Sequence, residues 1–436
     1  MTFRRPISLA RERNALTELV RPYLRRVYLG FFPGRTAHYF RDCWQYPSYA
    51  LHSGLPERAA AAVAAGCEPD LLFFPMNDWH VRMQRSQQLA SAFARLGHRS
   101  LYFNPHLGFE YGGPYLGSPA SRISILGPRL LEFHTRLPRE HIFHRRMPEP
   151  SENRRIAAAA RELAAVLEMR RAIQVVSFPI WLDTALALRD ALGFPIVYDC
   201  HDLLSGFGNI APEIVAAEAR LLEVCDRVAF SSAPLFEIKV AEAPAARAKA
   251  LLLRNAVDAD HFCIPHGSGN ADRKTVVYVG AIERWFDVEA VRAAAEAHPD
   301  CAFVLVGRVD EPRANELLAC PNVTLAGEMA YAKLPALLAR CDAAMIPFLS
   351  NQLTVATNPI KLYEYFSQGL PVVGTRLPEI ELHGDLVYVA DDAREFAAQV
   401  GRAIAECDPE RRARRIAVAQ RESWTARAGQ LLEAMA

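Results

Sequence analysis

Eleven short apolar runs, bounded by turn residues and separated by helical patterns, are the feature of this 436-residue chain that most restricts its fold. Five lie in the first half: DLLFF (70–74), RSLYF (99–103), AIQVVSF (172–178), FPIVYDC (194–200) and RVAFSS (227–232). Six follow residue 270: TVVYVG (275–280), CAFVLVG (301–307), NVTLAG (322–327), AAMIPF (343–348), LPVVGT (370–375) and LVYVA (386–390). Runs of this length without polar alternation are what strands look like when helices cover both faces of a parallel sheet. Amphipathic stretches such as DVEAVRAAAEAH (287–298) supply such helices. The alternation predicts an α/β chain, and its two series predict two tandem doubly wound domains, as the length also requires. The expected boundaries are an N-terminal extension (1–65), a first domain (66–255), a linker (256–274) and a second domain (275–415). A C-terminal helix (416–436) is expected to pack back on the first domain. Within the linker, IPHGSGNADRK (264–274) is rich in Pro, Gly, Ser and Asn. Ligands of such sheets sit outside the carboxyl ends of the strands, so two domains facing each other enclose a cleft.

Charge and cysteine usage exclude several classes. Fifty basic residues against 49 acidic ones leave a net charge of +1, which argues for no nucleic-acid partner. The nine cysteines are scattered and lack CxxC spacing, a pattern that fits a reducing cytoplasm and no structural zinc. No apolar run approaches the ~20 residues of a membrane span, and no signal sequence opens the chain, so a cytoplasmic location is expected. One segment is polarised. Residues 1–50 carry nine arginines against three acidic residues, a local charge of +6. Leu16, Leu19, Val20, Tyr23, Leu24, Val27 and Tyr28 recur there at helical spacing. Such a helix either lies on an anionic membrane through residues 1–40, as a peripheral contact, or buries its stripe on the first domain.

The stretch TNPIKLYEYFSQGLPVVGT (357–375) carries the chemistry. Asn358 reads as an N-cap and Pro359 as the first helical residue, which puts Lys361 at the third helical position. Free backbone N–H groups, the helix dipole and the Lys361 charge together suit a phosphate. Glu364 follows three residues later on nearly the same face, where its two oxygens match the adjacent hydroxyls of a ribose. The stretch therefore reads as a nucleoside diphosphate cradle. The plain alternative is an exposed i, i+3 ion pair on a capped helix.

With RNAVDADHF (254–262), YVGAIERWFD (278–287) and AGEMAYAKLPALLARCDAAMIPF (326–348), this stretch resembles the nucleotide-binding half of GT-B glycosyltransferases. The similarity is greatest to family four and its bacterial surface-polysaccharide branch. NDWHVRMQRSQQLASAFARLGHRSLYFNP (77–105) and IVYDCHDLLSGF (196–207) extend it into the first half. The resemblance implies two Rossmann-like domains facing a cleft, plus the N-terminal helical extension. It implies transfer of a sugar from a nucleoside diphosphate sugar to a glycan or lipid-linked acceptor, with retention and without metal or cofactor. On this resemblance Glu364 takes the ribose and Lys361 the diphosphate, while Gly307, Arg308, Gly327 and Glu328 frame the base. The chain departs from the family pattern in two places. The first acidic residue expected eight positions before Glu364 is Ala356, which leaves Thr354, Thr357 or Asn358, beside Pro359, for the donor sugar. The cations usual after the first strand of this domain are absent in register, so that Arg284, beyond Gly280, is the nearest.

His201 ends a strand of the first domain, where related enzymes place a histidine near the donor sugar; it equally suits a cap with Asp202. Asp199 and Asp202 are candidates for a general base if the reaction inverts. Asn77, Asp78, His80, Arg82 and Arg85 follow the first strand, on the acceptor side. Asp258 and Asp260 mimic a metal-binding DxD but read as a turn. His98, beside Arg99, reads as a solvated helix end. An epimerase or hydrolase on the same fold, and a noncatalytic nucleotide-sugar or glycan-binding protein, are the alternatives.

Overall fold

The structure is a computed structural model and describes residue 46, the backbone of residues 48–50, and residues 66–105, 121–135, 137, 144–264 and 273–436. The basic helix expected over 16–28, with its membrane or packing role, lies outside the described residues, as do linker residues 265–272.

Each of the eleven apolar runs overlaps a strand. The larger sheet holds β1 (Ser48–Ala50), β2 (Cys67–Phe74), β3 (His98–Phe103), β4 (Arg122–Gly127), β5 (Leu130–His134), β6 (Ala172–Val176), β7 (Ile196–Cys200), β8 (Arg227–Phe230) and β9 (Ala250–Leu252), in the order β1-β4-β5-β3-β2-β6-β7-β8-β9. Only the β1/β4 and β4/β5 pairs are antiparallel among the pairings described. By compactness the chain divides into one unit of residues up to Ile196 with Ala211–Glu218, and another of Val197–Ile210 with Ala219–Ala436.

In the first unit, Leu71, Phe73, Phe74, Leu101 and Phe133 are buried to within 1% exposure, and the fully buried Trp181 donates from Nε1 to the Pro75 carbonyl at 2.8 Å. His98 and Arg99 correct the expectation of a solvated helix end. They open β3 and are buried, because each finds a partner: His98 Nδ1 meets the Pro69 carbonyl at 2.9 Å, and Arg99 grips Asp70 with two bonds of 3.0 and 2.6 Å. A bidentate guanidinium–carboxylate pair removes the reason to stay in water.

The second unit contains a six-stranded, all-parallel sheet of β10 (Thr275–Val279), β11 (Ala302–Val306), β12 (Val323–Gly327), β13 (Ala343–Ile346), β14 (Val372–Thr375) and β15 (Val387–Ala390), in the order β12-β11-β10-β13-β14-β15. The order reverses between β10 and β13, the switch point at which a doubly wound sheet opens a crevice. Alternate residues feed opposite faces. Val276 and Tyr278 join a core with Val291 and Phe396 from helices Val288–Ala297 and Ala393–Ile404, whereas Val277 and Val279 pack with Leu362, Tyr365 and Phe366 of helix Ile360–Ser367. Short polar residues cap the surrounding helices; Asp287 accepts from the Ala290 N–H at 3.0 Å and Asp392 from the Glu395 N–H at 2.7 Å. The expected C-terminal helix is two helices, Pro409–Arg421 against Ile360–Ser367 and Trp424–Met435, separated where Val257 pairs with Ser423.

One buried bond ties the Ile360 helix to the end of β10. The Val279 N–H donates to the Tyr365 hydroxyl at 2.8 Å, and burial holds that hydroxyl well above its ordinary value of 10.0. Tyr365→Phe keeps the ring but strands the amide, so unfolding in urea should show a loss of about 1–3 kcal/mol with an unchanged slope. A variant within a few tenths of the parent would mean that the bond does not hold the helix.

Candidate functional site

All residues of the Lys361–Glu364 site and of the segment that follows β7 belong to the second unit. Helix Ile360–Ser367 begins one residue later than the sequence suggests. Pro359, not Asn358, is the N-cap, no side chain caps the first turn, and Lys361 is the second helical residue. Asn358 is diverted because tertiary partners outbid the local cap. Its Oδ1 accepts from the Asn255 N–H at 2.9 Å, and its Nδ2 donates to Tyr363 Oη at 3.1 Å and to Glu379 Oε2 at 2.9 Å. The helix start thus keeps its backbone N–H groups without side-chain cover, as an anion site needs.

Lys361 Nζ lies 2.6 Å from Glu364 Oε2, with the lysine side chain 27% exposed and the glutamate 2% exposed. The ammonium also stands 6.0 Å from the centroid of the Tyr331 ring, which stacks on His261 at 4.3 Å. Charge is therefore neutral within this site, and a ligand that offers an anion and hydroxyl donors can exchange with both halves of the pair.

The neighbouring strand ends form a glycine-lined rim. Gly280 follows β10 and Gly307 follows β11, while Gly327 ends β12; Gly280 N–H donates to Val306 O at 2.9 Å and Gly307 N–H to Gly327 O at 2.8 Å. At Gly307, with φ of +152°, a Cβ would lie 1.7 Å from the Gly280 carbonyl oxygen, so no other residue fits without moving the strand end. Arg308 pairs with Glu283 at 2.7 Å and with Asp310, whereas Glu328 is exposed. Arg284 is also exposed and donates to the Gly206 carbonyl, next to a 6.1 Å edge contact between Phe207 and Trp285. Thr354 donates to Leu349 O at 2.6 Å and Thr357 to Leu353 O at 2.7 Å. Ala356 is buried, and its carbonyl accepts from Ser232 Oγ at 2.6 Å.

His201 directly follows β7. Its Nδ1 approaches the Asp199 carbonyl oxygen at 3.0 Å, and its Nε2 stands 3.5 Å from Asp202 Oδ2. Asp199 is buried, the imidazole is 13% exposed, and the His201 carbonyl accepts from Ser231 Oγ at 2.8 Å. Two carboxylates therefore flank a histidine that keeps access to solvent.

The acceptor-side candidates lie in the first unit. His80 Nε2 meets Glu132 Oε2 at 3.1 Å, Glu132 Oε1 accepts from Asn104 Nδ2 at 2.5 Å, and Asp78 Oδ1 accepts from the His80 N–H at 2.8 Å. Glu132 and Asn104 escape sequence reasoning because Glu132 meets His80 across 52 residues and Asn104 meets Glu132 across 28. The Asn77 carbonyl takes the Tyr102 hydroxyl at 2.7 Å, the Arg82 carbonyl takes Gln87 Nε2 at 2.6 Å, and Arg85 is buried. Asp258 and Asp260 lie in a turn in which the Asp258 carboxylate accepts from the His261 N–H. Among the described residues no cluster of three or more His, Cys, Asp or Glu could hold a metal ion.

Two stability effects should follow from this geometry. Lys361→Ala leaves the Glu364 carboxylate buried without its cation, so it should cost about 1–3 kcal/mol, more than Lys361→Ala combined with Glu364→Gln. Equal losses in urea unfolding would show that the pair contributes little. His383 packs its ring against Tyr363 and Phe366 at 5.8 and 5.2 Å. Burial pulls its imidazole below the ordinary 6.5, with Arg254 adding to the effect and Glu422 and Glu379 opposing it. The unfolded chain therefore takes up this proton first. The contribution of neutral His383 is complete above pH ~6.5 and declines as pH falls toward the native value. His383→Phe should lose less stability than the parent between pH 7.5 and 5.5; an equal loss would place the titration elsewhere.

Comparison with known proteins agrees with this architecture. Residues 273–406 match the family described as Glycosyl transferases group 1. A protein of Bacillus subtilis (strain 168) named for teichuronic acid biosynthesis, the glycosyltransferase TuaH, is 30% identical over 201 residues, covering 42% of this chain and 51% of that one. The chain thus spans about half the length of this curated relative. Sucrose-phosphate synthase from Thermosynechococcus elongatus superposes with a TM-score of 0.62 at 16% identity, over 84% of this chain and 98% of its own. A structure described as trehalose-6-phosphate from E. coli bound with UDP-2-fluoro glucose gives 0.61 at 12% identity, over 84% and 98%. At such identities the likeness concerns the fold alone. The chain has the GT-B fold, and its residues 273–406 are similar to the glycosyl transferases group 1 family.

Proposed function

We propose that this protein is a glycosyltransferase that moves a sugar from a nucleoside diphosphate sugar to a glycan or lipid-linked acceptor in surface polysaccharide synthesis. The observation that carries the reading is the Lys361–Glu364 pair at an uncapped helix start beside three glycine-ended strands. Lys361 and the helix N–H groups take the diphosphate, Glu364 takes the ribose hydroxyls, and the glycine rim lets a flat base approach backbone. The bond between the anomeric carbon and the diphosphate oxygen breaks, the acceptor oxygen bonds to that carbon, and the acceptor proton passes to the departing diphosphate oxygen. Helix dipole and lysine stabilise the departing nucleoside diphosphate, so no metal is invoked. His201, flanked by Asp199 and Asp202, faces the sugar, and retention is the expected outcome. Asn77, Asp78, His80, Arg82 and Arg85 are kept as the acceptor side. The name of the B. subtilis relative and the UDP-sugar in the E. coli structure support the polymer and donor classes respectively.

Calorimetric titration with UDP, ADP and GDP tests the donor half of the reading. Glu364→Gln should weaken the preferred diphosphate by about 1–3 kcal/mol, through loss of charged hydrogen bonds. His201→Ala should bind that diphosphate like the parent while transfer falls by about 10²-fold. Parental affinity in Glu364→Gln, or parental turnover in His201→Ala, contradicts the corresponding role. Turnover of donor without acceptor, giving free sugar or an isomer, would favour a hydrolase or epimerase.

A further inference from the structure

Glu379 is a buried carboxylate, 1% exposed, surrounded by hydrogen-bond donors in helix Pro378–Glu381. Oε1 accepts from the Ala233 N–H at 3.0 Å, and Oε2 accepts from Arg254 Nε at 2.8 Å and Asn358 Nδ2 at 2.9 Å. Asn358 is in turn held by Asn255, which donates from its backbone N–H to Oδ1 at 2.9 Å and from Nδ2 to the Asn358 carbonyl at 2.5 Å. Two residues earlier, Ser232 Oγ holds the Ala356 carbonyl at 2.6 Å. Residues 356–358, which lead directly into the Ile360 helix, are thus pinned by Ser232, Asn255 and Glu379 rather than by a local cap. All of these residues belong to the second unit.

We infer that Glu379 is a positioning residue for the Lys361–Glu364 site, acting through Asn358 to fix where the helix begins. A buried carboxylate that receives donors from three separate segments has one geometry that satisfies them all. Asn358 can neither rotate to cap the helix nor release Pro359 while Glu379 and Asn255 hold it. The helix N–H groups consequently stay uncovered and Lys361 keeps its direction. The functional half of this inference rests on the proposed nucleotide role of that site.

The test reverses the polarity of the bond between residues 379 and 358. Glu379→Gln puts an amide among donors, and Asn358→Asp sets two carboxylates against each other. The double variant restores a donor facing an acceptor at this one bond, with the new carboxylate at 358 still able to receive the Asn255 N–H, but it leaves Arg254 Nε without the Oε2 acceptor, so its recovery is partial. UDP, ADP and GDP affinity is measured by calorimetry at a temperature where each protein is folded by circular dichroism. Hydrogen–deuterium exchange is read in parallel on peptides covering residues 356–367 without nucleotide. Each single variant should weaken the preferred diphosphate about tenfold or more and speed exchange of this segment, and the double variant should recover both toward the parent. Parental affinity in both single variants overturns the inference, as does a double variant no better than the worse single one. If the parent binds none of the three diphosphates, the proposed function falls. The inference is then decided by exchange alone: recovery in the double variant supports the pin, and its absence overturns it.

Discussion

A parallel sheet must be covered on both faces, and that constraint organises the second unit of this protein. Helices over β10 to β15 leave only the strand ends for a ligand, and the order β12-β11-β10-β13-β14-β15 opens the carboxyl edge between β10 and β13. What reaches that edge depends on one covering helix. Ile360–Ser367 turns Leu362, Tyr365 and Phe366 into the core, and Tyr365 closes on the end of β10 through its hydroxyl. Lys361 and Glu364 are left at the start of the same helix. Packing and chemistry thus share eight residues.

The site is neutral as it stands. Glu364, almost fully buried, tolerates its charge because Lys361 sits beside it, and Lys361 keeps enough exposure to meet a second anion. Breaking this pair for nothing is costly, whereas exchanging it for a phosphate and two hydroxyls replaces every bond lost. The surrounding side chains have little freedom to substitute. Thr354 and Thr357 donate to nearby carbonyls, Arg308 is paired with acids, and Asn358 serves the Glu379 network. Selectivity for ligands with both an anion and a diol is then expected from Lys361 and Glu364.

Much of the fold was legible because burial on both faces writes a strand as an unbroken apolar run, as in VVYV before Gly280 and FVLV before Gly307. β1, β4, β5 and β9 were not. β4 and β5 include Ser124, Glu132 and His134, all buried, and β9 is only three residues long. Lys361 and Glu364 were legible as a pair because helical spacing is local. The role of Asn358 was not, since its partners Asn255 and Glu379 lie 103 and 21 residues away and win against a one-turn cap. His98 and Arg99 misled for the same reason: Asp70, 29 residues distant, lets a charged pair enter the interior.

On the proposed function, the Lys361–Glu364 pair is a closed form of a nucleoside diphosphate site. A crystal structure with the preferred diphosphate tests it most directly. Glu364 should lie on the ribose hydroxyls and Lys361 on a phosphate, with their mutual bond broken and the helix start unmoved. A bound nucleotide elsewhere, with Lys361 and Glu364 still 2.6 Å apart, would contradict it.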